Sequence, residues 1–242
     1  MSPSDRHPHL CRINFSIEVW LLKITLTTGS VVLMFLGVFS TNAFAQTFNC
    51  TEVIGFSQVG QQNGGWYVTG GAFEFHVEDD EWQLLWQNGA GVDRWKNPEY
   101  AAWNLDRISG CASDSELPDR VVLSVSGPHG EDVSAWQADI EATINTIREL
   151  LPSVGPILLQ SVVGAPPESS CNLDRRVRAA WQHYPIREAI QNVAASDPGI
   201  SEGYAPVVAT CDDYRDALGH LTAEGAVTIG NALGAYYANL KP

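Results

Sequence analysis

The fold is decided by the stretch VVLSVSGPHGEDVSAWQADIEATINTIRELLPSVGPILLQSVV, residues 121–163. A short apolar run opens it, a segment with apolar residues three or four apart follows, and a second apolar run closes it. The middle segment predicts a helix from Ser134 to Leu151, in which Ser134 and Gln137 have the spacing of a capping box and Pro152 ends the helix. A strand, a helix and a second strand in this order are typical of a parallel sheet.

The same unit recurs on both sides of this stretch. Five apolar runs predict strands at Glu52–Gly55, Trp82–Trp86, Val121–Ser126, Ile157–Val163 and Val207–Ala209. Further helices are predicted from Thr222 onward and over Ile186–Ala195, with Pro185 as the first residue of the latter. The alternation favours an α/β fold with a mostly parallel five-stranded sheet between two layers of helices. Residues 60–81, rich in glycine and aromatic residues, could form a hairpin, a lid or an irregular loop.

The first 45 residues have the pattern of a secretory signal peptide. Basic residues precede an apolar run from Ser30 to Phe39, and small residues at Ala43 and Ala45 suit cleavage before Gln46. A membrane anchor is the alternative, but Lys23 interrupts the apolar stretch, which then falls short of the ~20 residues needed to span a bilayer. We expect residues 46–242 to form one domain that is secreted or periplasmic and has no membrane association after cleavage.

Charge and cysteine content narrow the possible partners. The 197 residues after the leader carry 11 basic and 26 acidic side chains, a net charge of −15, which disfavours nucleic acid and anionic membranes. They also contain Cys50, Cys111, Cys171 and Cys211, which predict two disulfides in an oxidising compartment. Three pairings are possible, and local closure of Cys50 with Cys111 and of Cys171 with Cys211 is the one expected here. No Cys-x-x-Cys spacing favours a metal site, and no cofactor is expected.

Two segments at opposite ends of the domain carry residues suited to nucleophilic catalysis. Ser57 follows the first predicted strand in Gly55-Phe56-Ser57-Gln58, and His220 precedes the last helix in His220-Leu221-Thr222. A serine hydroxyl becomes a nucleophile when a histidine removes its proton and a carboxylate orients that histidine. Asp216, four residues before His220, is the first candidate for the carboxylate, Asp213 is the second, and a Ser-His dyad is the third possibility.

Together with Gly89-Ala90-Gly91 and Ser126-Gly127-Pro128-His129, these segments resemble, in order, the four sequence blocks of the SGNH (GDSL-like) hydrolases. Each block is altered: Phe56 stands where that family has aspartate in Gly-Asp-Ser, and the aspartate expected three residues before the histidine is Ala217. The resemblance implies a flavodoxin-like α/β/α sandwich and an esterase that forms an acyl-serine intermediate.

The resemblance also implies donors for an oxyanion. The backbone N–H groups of Ser57 and Gly91 are the expected donors, with Gly89 as an alternative to Gly91. The family's third block supplies an asparagine, and here His129 is the expected substitute because a neutral imidazole also presents an N–H.

A cluster of tryptophans surrounds the second block. Tryptophan faces can stack on sugar rings, so acylated carbohydrates are the first expected substrates and short-chain esters the second. A non-catalytic secreted module that binds glycans through the same tryptophans is the alternative function. The cluster consists of Trp66, Trp82, Trp86, Trp95 and Trp103.

Overall fold

A parallel sheet of five strands forms the centre of the domain. The computed structural model of the chain describes residues 48–77, 81–111 and 117–240, so the predicted signal peptide lies outside the described residues. The strand order is β2-β1-β3-β4-β5, and every neighbouring pair is parallel. This confirms the predicted parallel sheet. The strands are β1 (Thr51–Gly55), β2 (Trp82–Trp86), β3 (Arg120–Ser124), β4 (Ile157–Gln160) and β5 (Ile200–Glu202).

Helices cover both faces of this sheet. The long helices α3 and α5 pack against each other, whereas α6 packs against the irregular segment 66–77. None of the helices in the described residues is long and apolar enough to cross a membrane. The helices are α1 (Ser57–Gly60), α2 (Val92–Trp95), α3 (Val133–Leu150), α4 (Ser170–Leu173), α5 (Arg178–Ser196) and α6 (Ala223–Ala238).

The fifth strand differs from the prediction. The strand expected at Val207–Ala209 is wrong, because β5 is formed by Ile200–Glu202, while Val207 makes only an isolated bridge to Gly164. β5 lies at the edge of the sheet, and of its three residues only Ile200 is buried. A strand with one buried side chain has no apolar run, so it gives no strand signal in the sequence.

Two helix starts also differ from the prediction. Asp132, not Ser134, caps α3 by accepting a hydrogen bond from the Ala135 N–H. Helix α5 runs through Pro185 instead of starting there. His183 before the proline and Ile186 after it are both fully buried, so tertiary packing continues the helix across the missing N–H.

The glycine- and aromatic-rich segment 60–77 forms a series of buried turns. Trp66, Tyr67 and Phe73 are almost completely buried, and Tyr67 packs against the ring of Phe73. Gly230 allows α6 to pack closely on this segment, since a Cβ there would lie 2.6 Å from the Trp66 carbonyl oxygen. The segment is therefore an irregular loop that covers the core.

Both expected disulfides are present in the structure. Cys50 is joined to Cys111 and Cys171 to Cys211, with Cα–Cα distances of 5.5 and 5.8 Å. The first ties the start of β1 to the segment after β2, and the second ties α4 to the 3₁₀ turn Cys211–Asp213. That turn directly precedes the loop that carries His220.

Candidate active site

A cleft of about 270 Å³ opens beyond the carboxyl ends of β1 and β3. Ligand crevices of parallel α/β sheets form at this end of the strands. All four sequence blocks contribute to its lining, although they are up to 163 residues apart in the chain. Its lining includes Ser57, Gly91, Ser126, Gly127, Arg178 and His220.

Ser57 is positioned by a tight turn between β1 and α1. Gly55 ends the strand, and a Cβ at this position would lie 2.6 Å from a methyl group of Val59. At the other end of α1, the indole of Trp86 packs directly on Gly60, where a Cβ would lie 2.4 Å from the ring. The two glycines thus allow α1 to pack closely on β1 and β2, which holds the serine at the edge of the sheet.

Ser57, His220 and Asp216 form a continuous row of hydrogen bonds. The Oγ of Ser57 lies 2.8 Å from Nε2 of His220, and Nδ1 of His220 lies 2.7 Å from Oδ2 of Asp216. With its proton on Nδ1, the imidazole donates to the carboxylate and accepts from the serine hydroxyl. The geometry is that of a nucleophile, a base and an orienting carboxylate.

The second oxygen of Asp216 shapes the loop before His220. Oδ1 accepts hydrogen bonds from the backbone N–H groups of Leu218, Gly219 and His220 at 3.0, 3.1 and 3.2 Å. Burial raises the pKa of Asp216, but the hydrogen bonds from His220 and the backbone outweigh burial and lower it overall. This turn allows an aspartate four residues before the histidine to reach the outer imidazole nitrogen.

Asp213, the second carboxylate candidate, has a different set of contacts. Its Oδ2 accepts from the backbone N–H and the hydroxyl of Thr210, and the pair forms the capping box of the Cys211–Asp213 turn. Its backbone oxygen accepts from the Thr222 N–H, which closes the base of the histidine loop. The structure thus brings Asp216, and not Asp213, to His220.

The backbone N–H groups of Ser57 and Gly91 are among those at the cleft that have no acceptor among the described residues. A Cβ at Gly91 would lie 2.5 Å from the Ser126 carbonyl oxygen, so only glycine permits this contact between the second and third blocks. Gly89 also lines the cleft, but it is an exposed turn residue with φ of +69°, and a Cβ there would meet none of the described residues within 4 Å.

His129 does not line the cleft with the other predicted residues. Its Nε2 lies 2.8 Å from Oδ2 of Asp139 on α3, and its ring packs edge-on against Trp136. Asp139 also forms an ion pair of 2.6 Å with Lys96. Burial raises the pKa of Asp139, but the hydrogen bonds from Lys96 and His129 lower it overall. The imidazole therefore fastens the third block to α3 and is not placed beside Ser57.

Four of the five tryptophans of the cluster are buried in the core. Trp66, Trp82 and Trp95 are completely buried, Trp103 is 7% exposed, and the partly exposed Trp86 packs on Gly60. None of the five is among the residues that line the cleft. Sugar stacking by this cluster, as expected from the sequence, is therefore wrong for the cleft.

Several cleft residues were missed in the sequence. Arg94, Arg178 and Gln182 line the cleft, as does Gln58, whose Nε2 donates to the Leu218 carbonyl oxygen of the histidine loop at 3.3 Å. The two arginines are exposed and belong to no motif, so only the folded arrangement reveals them.

No family model matches this sequence, and no curated protein is similar to it in sequence. Solved structures do resemble it. A carbohydrate esterase family 3 protein from Talaromyces cellulolyticus has 11% identity and a TM-score of 0.51, over 79% of this chain and 97% of that one. The strand order, the position of the cleft and this structural likeness indicate the same fold. The chain has the SGNH hydrolase fold.

Two bacterial structures are also similar. A DUF4886 family protein from Bacteroides uniformis has 14% identity and a TM-score of 0.50, over 80% of this chain and 85% of that one. A GDSL-like lipase from Bacteroides thetaiotaomicron has 15% identity and a TM-score of 0.46, over 79% and 88% of the two chains. A structural likeness at 14% identity shows the fold alone, so the chemistry of this cleft has to be argued from its own residues.

Proposed function

We propose that the protein is a serine ester hydrolase that acts through an acyl-serine intermediate. The observation that carries this proposal is the hydrogen-bonded row from Ser57 through His220 to Asp216, located at the cleft. In this proposal Ser57 is the nucleophile, His220 the general base and acid, and Asp216 the residue that orients His220.

The reaction follows from the direction of the hydrogen bonds. Oγ of Ser57 attacks the ester carbonyl carbon while its proton passes to Nε2 of His220, which becomes an imidazolium paired with Asp216. Collapse of the tetrahedral intermediate breaks the carbon–oxygen bond of the ester, and His220 returns the proton to the leaving alkoxide. Water then attacks the acyl-serine carbonyl carbon while His220 takes its proton. The bond to Oγ breaks, His220 returns the proton to Oγ of Ser57, and the acid is released.

The negative oxygen of each tetrahedral intermediate needs hydrogen-bond donors. In this proposal the N–H groups of Ser57 and Gly91 supply them, because both residues line the cleft and neither N–H has an acceptor among the described residues. His129 is left out of the proposed machinery, since its Nε2 is bonded to Asp139.

The proposed substrates are small esters, among them acylated carbohydrates. The cleft volume of about 270 Å³ suits a short acyl group, and the similar fungal esterase is a carbohydrate esterase. The two disulfides support action in an oxidising compartment, as the secreted or periplasmic expectation requires. The glycan-binding alternative loses its main support because four of the five tryptophans are buried and none of the five lines the cleft.

Hydrolysis of p-nitrophenyl acetate by purified protein tests the proposal. We expect turnover above the background rate, with complete loss of that turnover in Ser57→Ala. Ser126→Ala is a suitable control, because Ser126 lies in the same cleft and has no part in the proposed proton transfers. Equal activity in wild type and Ser57→Ala would contradict the proposal.

A further inference from the structure

Two arginines that line the cleft have no carboxylate partner among the described residues. Five of the ten basic residues in the described part of the chain form ion pairs with Asp or Glu, but Arg94 and Arg178 form none there. The chain as a whole has twice as many acidic as basic residues, with a net charge of −14. Arg94 and Arg178 are two of the five described basic residues without such an ion pair, and both line the cleft.

Arg178 is held in a fixed orientation at the cleft. Its Nε donates to Oε1 of Gln182 at 3.1 Å, and one Nη donates to the Gly127 carbonyl oxygen at 2.6 Å. Its backbone N–H donates to the Ala217 carbonyl oxygen at 2.8 Å, which places it against the histidine loop. The remaining guanidinium N–H groups have no acceptor within the described ranges. An oriented guanidinium of this kind suits a carboxylate, which it can bind through two parallel hydrogen bonds.

Arg94 adds a second positive charge to the cleft lining. It lies on α2, three residues after Gly91, and it has no side-chain hydrogen bond among the described residues. Asp93 is the one acidic residue of the lining, and its Oδ1 packs towards Gly91 and Gly127. With Asp93 ionised, the lining holds two guanidinium groups and one carboxylate, and the carboxylate of Asp216 lies behind His220, to which it is hydrogen-bonded.

We propose that the cleft selects esters that carry a carboxylate group, which Arg178 binds with the help of Arg94. This inference rests on the proposed ester hydrolase function and adds its substrate class. The carboxylate can belong to the acyl part or to the alcohol part of the ester, and the two sources are separated by experiment.

The test compares two pairs of esters that differ in one charge. For the acyl part, the pair is p-nitrophenyl hexanoate and the mono-p-nitrophenyl ester of adipic acid. For the alcohol part, it is 4-acetoxybenzamide and 4-acetoxybenzoate. At low salt we expect kcat/KM for at least one anionic ester to exceed that of its neutral partner by about fivefold or more, chiefly through KM, and this preference should decrease with added salt.

Arginine variants test whether the preference for anionic esters arises in the cleft. The readout is the ratio of kcat/KM for each anionic ester to that for its neutral partner: Arg178→Gln should remove most of this preference, and Arg94→Gln should reduce it. Arg176→Gln is the matched control: it removes the same charge two residues away, at a side chain that is 69% exposed and outside the lining. A melting curve for each variant verifies folding.

Three results would overturn the inference. Hydrolysis of the neutral esters with no preference for either anionic partner would reject the carboxylate site and leave the ester hydrolase function intact. An equal loss of preference in Arg176→Gln and Arg178→Gln would show an effect of net charge instead of a binding site. Failure of wild type to exceed Ser57→Ala on all four esters would reject both proposals.

Discussion

At the scale of single residues, Asp216 uses its two carboxylate oxygens for different tasks. Oδ2 bonds to the imidazole of His220, and Oδ1 holds the preceding turn through three backbone N–H groups. Asp216→Asn should lower kcat by about 10²- to 10⁴-fold, because an amide can favour the wrong imidazole tautomer. Asp213→Asn is the control and should retain kcat with a modest loss of stability, since Asp213 only caps a turn. Measured kcat values for both variants decide which carboxylate orients His220. A large loss of kcat in Asp213→Asn would reverse the assignment.

His129 gives a second prediction at this scale. A lost oxyanion donor costs about 10²- to 10³-fold in kcat, whereas a residue that only fastens a loop costs stability. Because His129 binds Asp139, we expect His129→Ala to lower the free energy of unfolding by about 1–3 kcal/mol and to change kcat by less than about tenfold. Denaturant unfolding and steady-state kinetics on the same preparation separate the two effects. A loss of kcat with unchanged stability would mean that His129 reaches the reacting atoms after all.

At the scale of elements, the contact between the second and third blocks depends on Gly91. A Cβ there would meet the Ser126 carbonyl oxygen at 2.5 Å, so Gly91→Ala must move one of the two segments. We expect kcat to decrease by about 10²-fold, since a displaced N–H no longer points at the oxyanion. Gly110→Ala is the control, because Gly110 is exposed and a Cβ there would meet none of the described residues within 4 Å. Retained kcat in Gly91→Ala would remove Gly91 from the proposed oxyanion donors.

The strands and helices also show which parts of the fold could be predicted from the sequence. Strands β1 to β4 were predictable because each contains a short run of buried apolar residues, and α6 begins one residue after the predicted start at Thr222. β5 was not predictable, because only Ile200 in it is buried. The position of the third block was evident, but the partner of its histidine, Asp139, depends on how α3 packs.

At the scale of the whole molecule, the two disulfides close loops with sequence separations of 61 and 40 residues. Loops of this size correspond to about 4 kcal/mol each in the chain-entropy account, with about 2–5 kcal/mol typical of small secreted domains. Replacing Cys171 and Cys211 by alanine should therefore lower Tm, and so should replacing Cys50 and Cys111. Thermal unfolding of both double variants measures the effect. Unchanged Tm in either variant would mean that its disulfide does not constrain the domain.

The central claim is that His220 activates Ser57 as a nucleophile, and covalent labelling tests it most directly. A fluorophosphonate probe reacts at a useful rate only with a serine whose proton a base removes. Incubation of folded protein with the probe, followed by peptide mapping, should find the label on Ser57, and labelling should disappear in His220→Ala. A label on another serine, or none on folded wild-type protein, would contradict the account.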